Sequence, residues 1–308
     1  MDTTTMMDEF EEAGIAALVR AGEKRQWFFG HLGAAMIAGV RLLRDPDLPG
    51  PAALALCARL QALRVSHREW YAPLESRGVA GVSTEPILER LRQTAGILRM
   101  SGHPTIYMSA ALHVLSRRPS LATEGVVASL VQLHEDARDD DPARHYGHSN
   151  YFEWVDEELI DADLDGGQVG SLVALRVAFA SLDHLVADQR TEGRTYFFTG
   201  EKIHLVTHAH AIATLEELGY PDLASLAGRA QRSLVRLTEC SNRLTPSAVE
   251  SAHSTPFEAS FWEQEVPDFS HVVKLAEAVV AHFRRMTEAE REVAGTRLGT
   301  LWSLLGIR

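Results

Sequence analysis

Residues 203–218 read Ile-His-Leu-Val-Thr-His-Ala-His-Ala-Ile-Ala-Thr-Leu-Glu-Glu-Leu, and Gly-Tyr-Pro follows them at 219–221. Apolar residues recur in this stretch at intervals of three and four, which is the period of one face of an α-helix. The glycine and the proline then interrupt the pattern, because neither residue continues a helix well. The stretch therefore predicts one helix that carries three histidines, at positions 204, 208 and 210.

The same helical period extends through most of the 308-residue chain. The alternation that is typical of strands is scarce, and only residues 195–199 have a short β-like pattern. We therefore predict an all-α protein. The other helical segments are 10–18, 27–43, 52–63, 87–98, 106–115, 126–133, 169–186, 223–237 and 272–283.

Three segments share a layout of two helices separated by a break. In each of them a helix that begins near a histidine runs to Leu43, Leu115 or Leu215 and stops at a turn that contains proline. A second amphipathic helix follows the turn. Each unit spans about 35 residues, but the spacing is too irregular for a strict solenoid. We interpret residues 1–308 as a single all-helical domain, an array of helical hairpins around a central cavity.

Two stretches, 138–167 and 242–270, lack the helical period. The first is acidic and aromatic, and we expect it to form a lid or a pocket wall. The second also carries aromatic residues and is a candidate for the same role. The aromatic residues that are candidates for pocket walls, and equally for the core, are Tyr107, Tyr151, Phe152, Trp154 and Trp262.

Composition limits the classes of partner. The formal net charge is −12, and no basic cluster interrupts the acidic balance, so neither nucleic acid nor an anionic membrane surface is expected as a partner. Cys57 and Cys240 form no Cys-x-x-Cys pair, which argues against a disulfide framework and against a thiolate zinc site. The N-terminal residues do not resemble a signal peptide, and no apolar run is long enough to span a membrane. A cytoplasmic protein is the expectation.

Four histidines occupy equivalent places at or near the start of helical segments, namely His31, His103, His204 and His271. A buried imidazole needs a partner, because an unsatisfied polar group costs about 1–3 kcal/mol. If the helices stack around a common axis, these imidazoles converge and one metal ion can satisfy them all. Ligation by imidazole without thiolate suits iron, copper or zinc. The other histidines outside 203–218 are interpreted as bonded to backbone carbonyls or hydroxyls: His67, His113, His134, His145, His148, His184, His253 and His282.

Helical spacing adds one candidate ligand within residues 203–218. His204 and His208 lie about 40° apart around the helix axis, whereas His210 lies about 120° from His204. Pairs of histidines four residues apart chelate metals in other helical sites. Geometry therefore favours His208 as the partner of His204 and leaves His210 at the pocket wall.

Lys274 shares a helix face with His271, because the two residues lie about 60° apart around the axis. A protonated amine would repel a cation, so a lysine beside a metal ion has to be neutral or carboxylated by carbon dioxide. Its apolar neighbours predict burial, which lowers the pKa of a lysine. The alternative is a surface lysine that reaches solvent or pairs with Glu277 or Glu201.

The histidine segments resemble, in order and approximate spacing, the questin oxidase-like family. The resemblance covers about residues 25–285, and that family is similar in being all-helical. It includes fungal enzymes that oxidatively open anthraquinone-type polyketide rings, some with reduced nicotinamide and others as non-haem iron dioxygenases. The matching segments are Gly30-His31, Gly102-His103, Ile203-His204-x-Val206-Thr207-x-x-His210-Ala211-Ile212 and His271-Val272-Val273-Lys274-Leu275-x-Glu277-Ala278.

The resemblance implies a non-haem iron centre. The chain departs from the family pattern where Pro104 directly follows His103 and by the additional His208, so the choice between His208 and His210 stays open. The ligands that the resemblance implies are His31, His103, His204 and His271, with Lys274 as a modified ligand and His210 as a reserve.

Together with the resemblance, these residues predict an iron-dependent oxygenase that oxidises or opens an aromatic small molecule with dioxygen. NADPH is the candidate external reductant, and His210 and Tyr107 are the candidate catalytic residues. A second hypothesis is a metal-free family member whose histidines act as general acid and base, since imidazole titrates near neutrality. A third is a helical ligand-binding protein, not an enzyme, in which the histidines are satisfied internally.

Overall fold

The computed structural model describes residues 3–75, 78–139, 170–191, 194–239 and 244–308. Thirteen α-helices hold most of these residues, and the one sheet among them is a two-stranded ribbon. The prediction of an all-α, single-domain fold is confirmed. The helices are α1 Thr3–Glu23, α2 Gly30–Leu43, α3 Gly50–Ser66, α4 Arg68–Tyr71, α5 Glu85–Thr94, α6 His103–Arg117, α7 Glu124–Asp139, α8 Ser171–Ala180, α9 Phe198–Glu217, α10 Pro221–Glu239, α11 Ala259–Glu263, α12 Phe269–Phe283 and α13 Glu288–Leu304.

The ribbon lies directly before the central helix. Strands β1 Gln189–Thr191 and β2 Arg194–Tyr196 pair in antiparallel register. The β-like pattern at 195–199 is therefore half strand and half helix, because α9 already begins at Phe198. The carboxylate of Asp188 helps to start α9, since its Oδ1 accepts a hydrogen bond from the backbone N–H of Thr199 at 2.7 Å.

The three predicted helical hairpins are present. Helices α2 and α3, α6 and α7, and α9 and α10 form consecutive pairs, and each pair is packed together. The breaks between them contain the prolines that the sequence places there, because proline cannot continue the hydrogen-bond ladder of a preceding helix. In the third pair, Gly219 takes a left-handed φ of 85° before Pro221 opens α10.

The four helices that carry His31, His103, His204 and His271 form a closed ring of contacts. Helix α2 packs against α6 and α12, and α9 also packs against α6 and α12. Helix α9 is the most deeply buried of them, with almost every residue from Phe198 to Leu215 shielded from solvent. The ring keeps these four helices close to one another, which is a condition for their histidines to meet.

The structure adds helices that the apolar period does not mark. These are the short α4 and α11, and α13 near the C-terminus. Helix α13 begins with a capping box in which Thr287 accepts from the N–H of Glu290 and the Glu290 carboxylate bonds back to Thr287. This Thr-x-x-Glu pattern is visible in the sequence and would have predicted the helix.

Of the two irregular stretches in the sequence, the structure describes mainly the second. Residues 140–169 lie outside the described residues, and with them the expected lid and Tyr151, Phe152, Trp154, His145 and His148. The stretch 242–270 contains α11 and the start of α12, and its last residues line cavities at the centre of the molecule.

Two further observations concern the described part of the chain. None of its helices combines the length and apolar character that a bilayer span requires. Cys57 is a free, half-buried thiol, and Cys240 lies outside the described residues.

Candidate metal centre

Four histidines from four helices meet at the centre of the molecule, and we call them the four-histidine cluster. His31 is in the first turn of α2, His103 begins α6, His204 is in the second turn of α9 and His271 is in the first turn of α12. The first three are buried, and 12% of the side chain of His271 is exposed. Because each imidazole stands near the start of its helix, the ring of helices delivers all four to one place.

The imidazole nitrogens of the cluster are in direct contact. Nε2 of His103 lies 3.0 Å from Nε2 of His31, and Nε2 of His204 lies 3.2 Å from Nε2 of His271. The ring centroids of His103 and His204 are 4.3 Å apart, and those of His31 and His271 are 4.4 Å apart. Convergence within a few ångströms is therefore found for His31, His103 and His204, and His271 lies against His31 and His204.

This spacing fits a metal ion. At a metal–nitrogen distance of about 2.1 Å, two neighbouring ligand nitrogens lie about 3.0–3.4 Å apart. Ligand nitrogens of His31, His103 and His204 all lie within 4.8 Å of one another, so this buried triad could hold a metal ion. His271 is not part of this triad, but its Nε2 contacts that of His204.

Hydrogen bonds on the far side of two rings orient them toward the cluster. Nδ1 of His103 donates to the carbonyl of Met100, and Nδ1 of His271 donates to Oδ2 of Asp268 at 2.5 Å. With the proton on Nδ1, the lone pair of Nε2 points to the centre; this tautomer is inferred from the hydrogen bonds. Acceptors of this kind fix the orientation of metal-binding histidines and raise their basicity.

A strained turn places His103. Met100, Ser101 and Gly102 have successive φ values of 41°, 55° and 85°, so three residues in a row take left-handed conformations. Non-glycine residues in this region cost about 1–3 kcal/mol each and are held by their surroundings. Part of that support is a hydrogen bond of 2.6 Å from the hydroxyl of Ser101 to Oε1 of Glu201 on α9.

Lys274 lies beside the cluster. It is 4% exposed, and its Nζ hydrogen-bonds to Nδ1 of His31. Burial lowers the pKa of Lys274 to about 7. Among the described residues it forms no ion pair with Glu277 or Glu201, and it does not reach solvent, so the surface alternative for this lysine is wrong.

Two imidazoles of the cluster, those of His31 and His271, favour their neutral form. Burial lowers the pKa of His31 well below its usual value, and the nearby Lys274 lowers it further. Burial also lowers the pKa of His271, and again Lys274 adds to the effect. Neutral imidazole is the state that binds metals, so the state of these two rings suits ligation.

A cavity of about 350 Å³ opens onto the cluster, and we call it the first cavity. All four histidines contribute to its wall, together with aromatic and aliphatic side chains. Cavities of this size accommodate small organic molecules. The apolar part of the wall includes Trp27, Phe28, Phe197, Ile203, Leu304 and Leu305.

The structure does not bring His208 to the cluster, which corrects the geometric prediction. Its Nδ1 lies 2.7 Å from Oε1 of Gln231 on α10, and it packs against the backbone of Gly102. His208 shares a helix face with His204, but it is one turn, about 6 Å, further along the axis. At that level the neighbours are α10 and the strained turn, and burial lowers the pKa of His208 to about 4.

His210 belongs to a second buried polar group. Its Nδ1 lies 2.8 Å from Nε2 of His282, and its Nε2 lies 2.6 Å from Oε2 of Glu277. The other carboxylate oxygen of Glu277 is 3.0 Å from Nε of Arg41. The interpretation of His282 as bonded to a carbonyl or hydroxyl is therefore wrong. The structure does not bring His210 to the cluster either, but both His210 and Lys274 line a small cavity of about 30 Å³.

The two described aromatic candidates have different places. Tyr107 is fully buried with its ring 5.7 Å from that of His31 and 5.4 Å from that of His103. Its hydroxyl has no hydrogen-bond partner among the described residues. Trp262 packs in the core, where its Nε1 donates to the carbonyl of Pro256 at 2.9 Å, so it is not a pocket wall.

Sequence reasoning missed several residues of the site. Asp268 could have been found from the sequence, because an Asp three residues before His271 is a typical helix cap. The same carboxylate caps the helix and orients the imidazole of His271. Gln231 and the strained turn at Met100 carry none, since their partners come from distant helices. Arg41 and Glu277 likewise meet only in the folded chain.

Comparisons of the chain with protein-family models, with characterised proteins and with solved structures find no match. The resemblance to the questin oxidase-like family therefore stays a prediction. Function has to be argued from the chemistry of the site.

Proposed function

We propose that this protein is a non-haem iron oxygenase of the questin oxidase-like type that acts on an aromatic or polyketide-like small molecule. One observation carries the proposal: a buried triad of His31, His103 and His204 that could hold a metal ion lies beside the first cavity, and His271 contacts His204 there. Neutral imidazole nitrogens are metal ligands, so a cation held between them would compensate for the burial of these polar rings. A cation with four nitrogen ligands and an adjacent organic cavity is the arrangement of an enzyme active site.

His31, His103, His204 and His271 would hold the iron, which when bound supplies redox chemistry with dioxygen. The carbonyl of Met100 and the carboxylate of Asp268 keep the rings of His103 and His271 oriented. The aromatic and aliphatic wall of the first cavity would hold a planar substrate close to the cluster and exclude water.

Lys274 would adjust the charge of the site. A neutral amine can combine with carbon dioxide to give a carbamate and a proton, which turns a repulsive group into an anionic oxygen donor. The pKa of about 7 leaves a large fraction of the amine neutral at physiological pH. The contact between Nζ and Nδ1 of His31 supports this role, because it puts the lysine directly beside a proposed ligand.

Metal content tests the proposal. Protein from iron-supplemented medium should contain about one iron per chain by elemental analysis and should consume oxygen with hydroxylated anthraquinones or naphthols. His204→Ala should lose the metal. His208→Ala is the matched control, because it removes a buried histidine of the same helix that bonds to Gln231 instead.

The same measurement addresses Lys274. Lys274→Met should lose metal or turnover, whereas Lys202→Met should keep both, because Lys202 is equally buried but donates to the carbonyl of Ser181 at 2.5 Å. Wild-type protein that takes up no iron under any loading condition would contradict the iron proposal. Full metal and full turnover in Lys274→Met would restrict the proposal to the histidines.

One observation supports a second candidate function, metal-free acid–base catalysis. The pKa of about 7 for Lys274 and its contact with His31 make a pair that can move a proton at neutral pH. Turnover that survives complete removal of metal by a chelator would favour this function over the iron oxygenase. If the protein contains no metal and shows no turnover but still binds aromatic molecules, the result would favour a ligand-binding protein.

A further inference from the structure

A second cavity, of about 480 Å³, meets the first one at the cluster. Both cavities are lined by Phe28, His31 and Asp268, and the second extends from there along α3 toward its C-terminal end. The second cavity is the larger of the two, and the function proposed above makes no use of it.

The wall of the second cavity contains an arginine that has no charged partner among the described residues. The guanidinium of Arg59 lies over the ring of Phe269, 4.8 Å from its centroid. Within the described part of the chain, its Nε is buried without a hydrogen-bond partner, and no carboxylate pairs with the guanidinium. In a chain of net charge −12, a cavity arginine without a carboxylate partner is available for an external anion.

The other polar groups of the wall are already engaged within the protein. The carboxylate of Asp268 accepts from Nδ1 of His271 and from the hydroxyl of Ser270. The hydroxyl of Ser66 donates to the carbonyl of Leu63 and lies 2.9 Å from Nδ1 of His67. Arg59 is therefore the group of this wall with donors to offer a ligand.

The rest of the wall selects the shape of that ligand. Phe28, Phe29 and Phe269 supply aromatic faces, and Phe29 is held in place by stacking on Trp70 at 4.2 Å between ring centroids. One guanidinium matches the two oxygens of one carboxylate. A dinucleotide with its two phosphates would need further cations, which the described wall of this cavity does not provide.

We propose that the second cavity binds an aromatic carboxylic acid, with the carboxylate on Arg59 and the ring among Phe28, Phe29 and Phe269. A volume of about 480 Å³ accommodates one or two fused rings. The bound molecule would lie next to His31, so one end of the site adjoins the cluster. The proposal goes beyond the oxygenase function and does not depend on metal, because none of the ligand-binding residues named for the acid is a proposed iron ligand.

The test uses 2-naphthoate and its neutral analogue 2-naphthol with full-length protein, and binding is measured by calorimetry. Wild-type protein should bind 2-naphthoate saturably and more tightly than 2-naphthol. Arg59→Gln should weaken 2-naphthoate binding about ten- to hundred-fold, because a charge-assisted hydrogen bond is lost, and should leave 2-naphthol binding unchanged. Arg59→Lys should lie between the two.

Arg64→Gln is the matched control, because Arg64 is on the same helix but its guanidinium pairs with Glu9 at 3.1 Å. It should bind 2-naphthoate as the wild type does. Equal affinity of the wild type and Arg59→Gln for 2-naphthoate would overturn the proposal, and so would an equal loss in Arg64→Gln. If Arg59→Gln does not fold, Arg59→Lys decides: an affinity for 2-naphthoate equal to that of the wild type refutes the site. Metal analysis stays independent of all these outcomes.

Discussion

At the scale of single residues, one buried carboxylate is held between two basic side chains. Glu277 is buried between Arg41 and His210, with an oxygen 3.0 Å from the guanidinium and another 2.6 Å from the imidazole. Burial alone would raise the pKa of Glu277, but Arg41 and His210 outweigh it and the pKa falls to about 2. His282, which contacts His210, adds to the same effect.

This shift predicts how acid affects stability. A carboxyl whose pKa is lower in the folded than in the unfolded chain stabilises the fold above its unfolded pKa of about 4.3. That contribution is lost as the pH falls toward 2, the folded pKa. In Glu277→Gln, the free energy of unfolding should be lower at pH 7, because Arg41 loses a charged partner, and should fall less steeply between pH 4.5 and 2.

Urea unfolding at several pH values checks this expectation. Glu288→Gln serves as the control, since Glu288 is an exposed residue in the first turn of α13. The free energy of unfolding of Glu288→Gln should depend on pH in the same way as that of the wild type. Parallel profiles for the wild type and Glu277→Gln would show that the buried carboxylate does not contribute in this range.

At the scale of structural elements, the turn between Met100 and Gly102 decides where α6 begins. Gly102 has a φ of 85°, and a Cβ atom there would lie 2.4 Å from Cδ2 of His208. The glycine is needed twice, once for the backbone conformation and once for the close approach of α9. Because His103 follows directly, the position of one candidate ligand depends on this turn.

Gly102→Ala should therefore destabilise the protein and disturb the cluster. Left-handed strain costs about 1–2 kcal/mol and overpacking about 1–3 kcal/mol, so a loss of about 2–5 kcal/mol in the free energy of unfolding is expected. Iron content should fall with it, because His103 moves with the turn. Gly219→Ala is the matched control, since Gly219 has the same φ of 85° but open space around it.

The control should lose only about 1–2 kcal/mol, from strain alone, and should keep its metal. Chemical unfolding and elemental analysis measure both quantities. If the free energy of unfolding falls equally in the two variants, the side chain of His208 moves aside at little cost and the close contact with α9 is unimportant.

At the scale of the whole molecule, the cluster joins parts of the chain that are far apart in sequence. His31 and His271 stand near the two ends of the described chain, and their helices close the ring formed by α2, α6, α9 and α12. An ion held by all four helices binds the folded state and not the unfolded one. Its binding free energy therefore adds to stability.

Iron should thus raise the resistance of the protein to urea. At a free Fe(II) concentration of 100 times its dissociation constant, the gain is about 2.7 kcal/mol under anaerobic conditions. A chelator should remove the gain, and His204→Ala should not show it, whereas His208→Ala should. Bound iron without any change in the unfolding midpoint would mean that the ion is held outside the cluster.

What the sequence determined by itself is local. The helical period, the three breaks and the placement of four histidines at helix starts are properties of neighbouring residues, and periodicity expresses them directly. The burial of Lys274 is of the same kind, because the apolar residues around it predict a core position. The all-α fold followed from these features, and the equivalent places of the histidines predicted their meeting only on the assumption that the helices stack around one axis.

What only the tertiary structure decided is which partner each side chain meets. His208 and His210 lie on one helix, but Gln231 and Gly102 occupy the surroundings of the first, and Glu277 and His282 those of the second. The angle between two residues around a helix axis shows whether they share a face. It does not show which other helix packs against that face at each position along the axis. The covering helices come from distant parts of the chain, so packing assigned these roles, and periodicity could not.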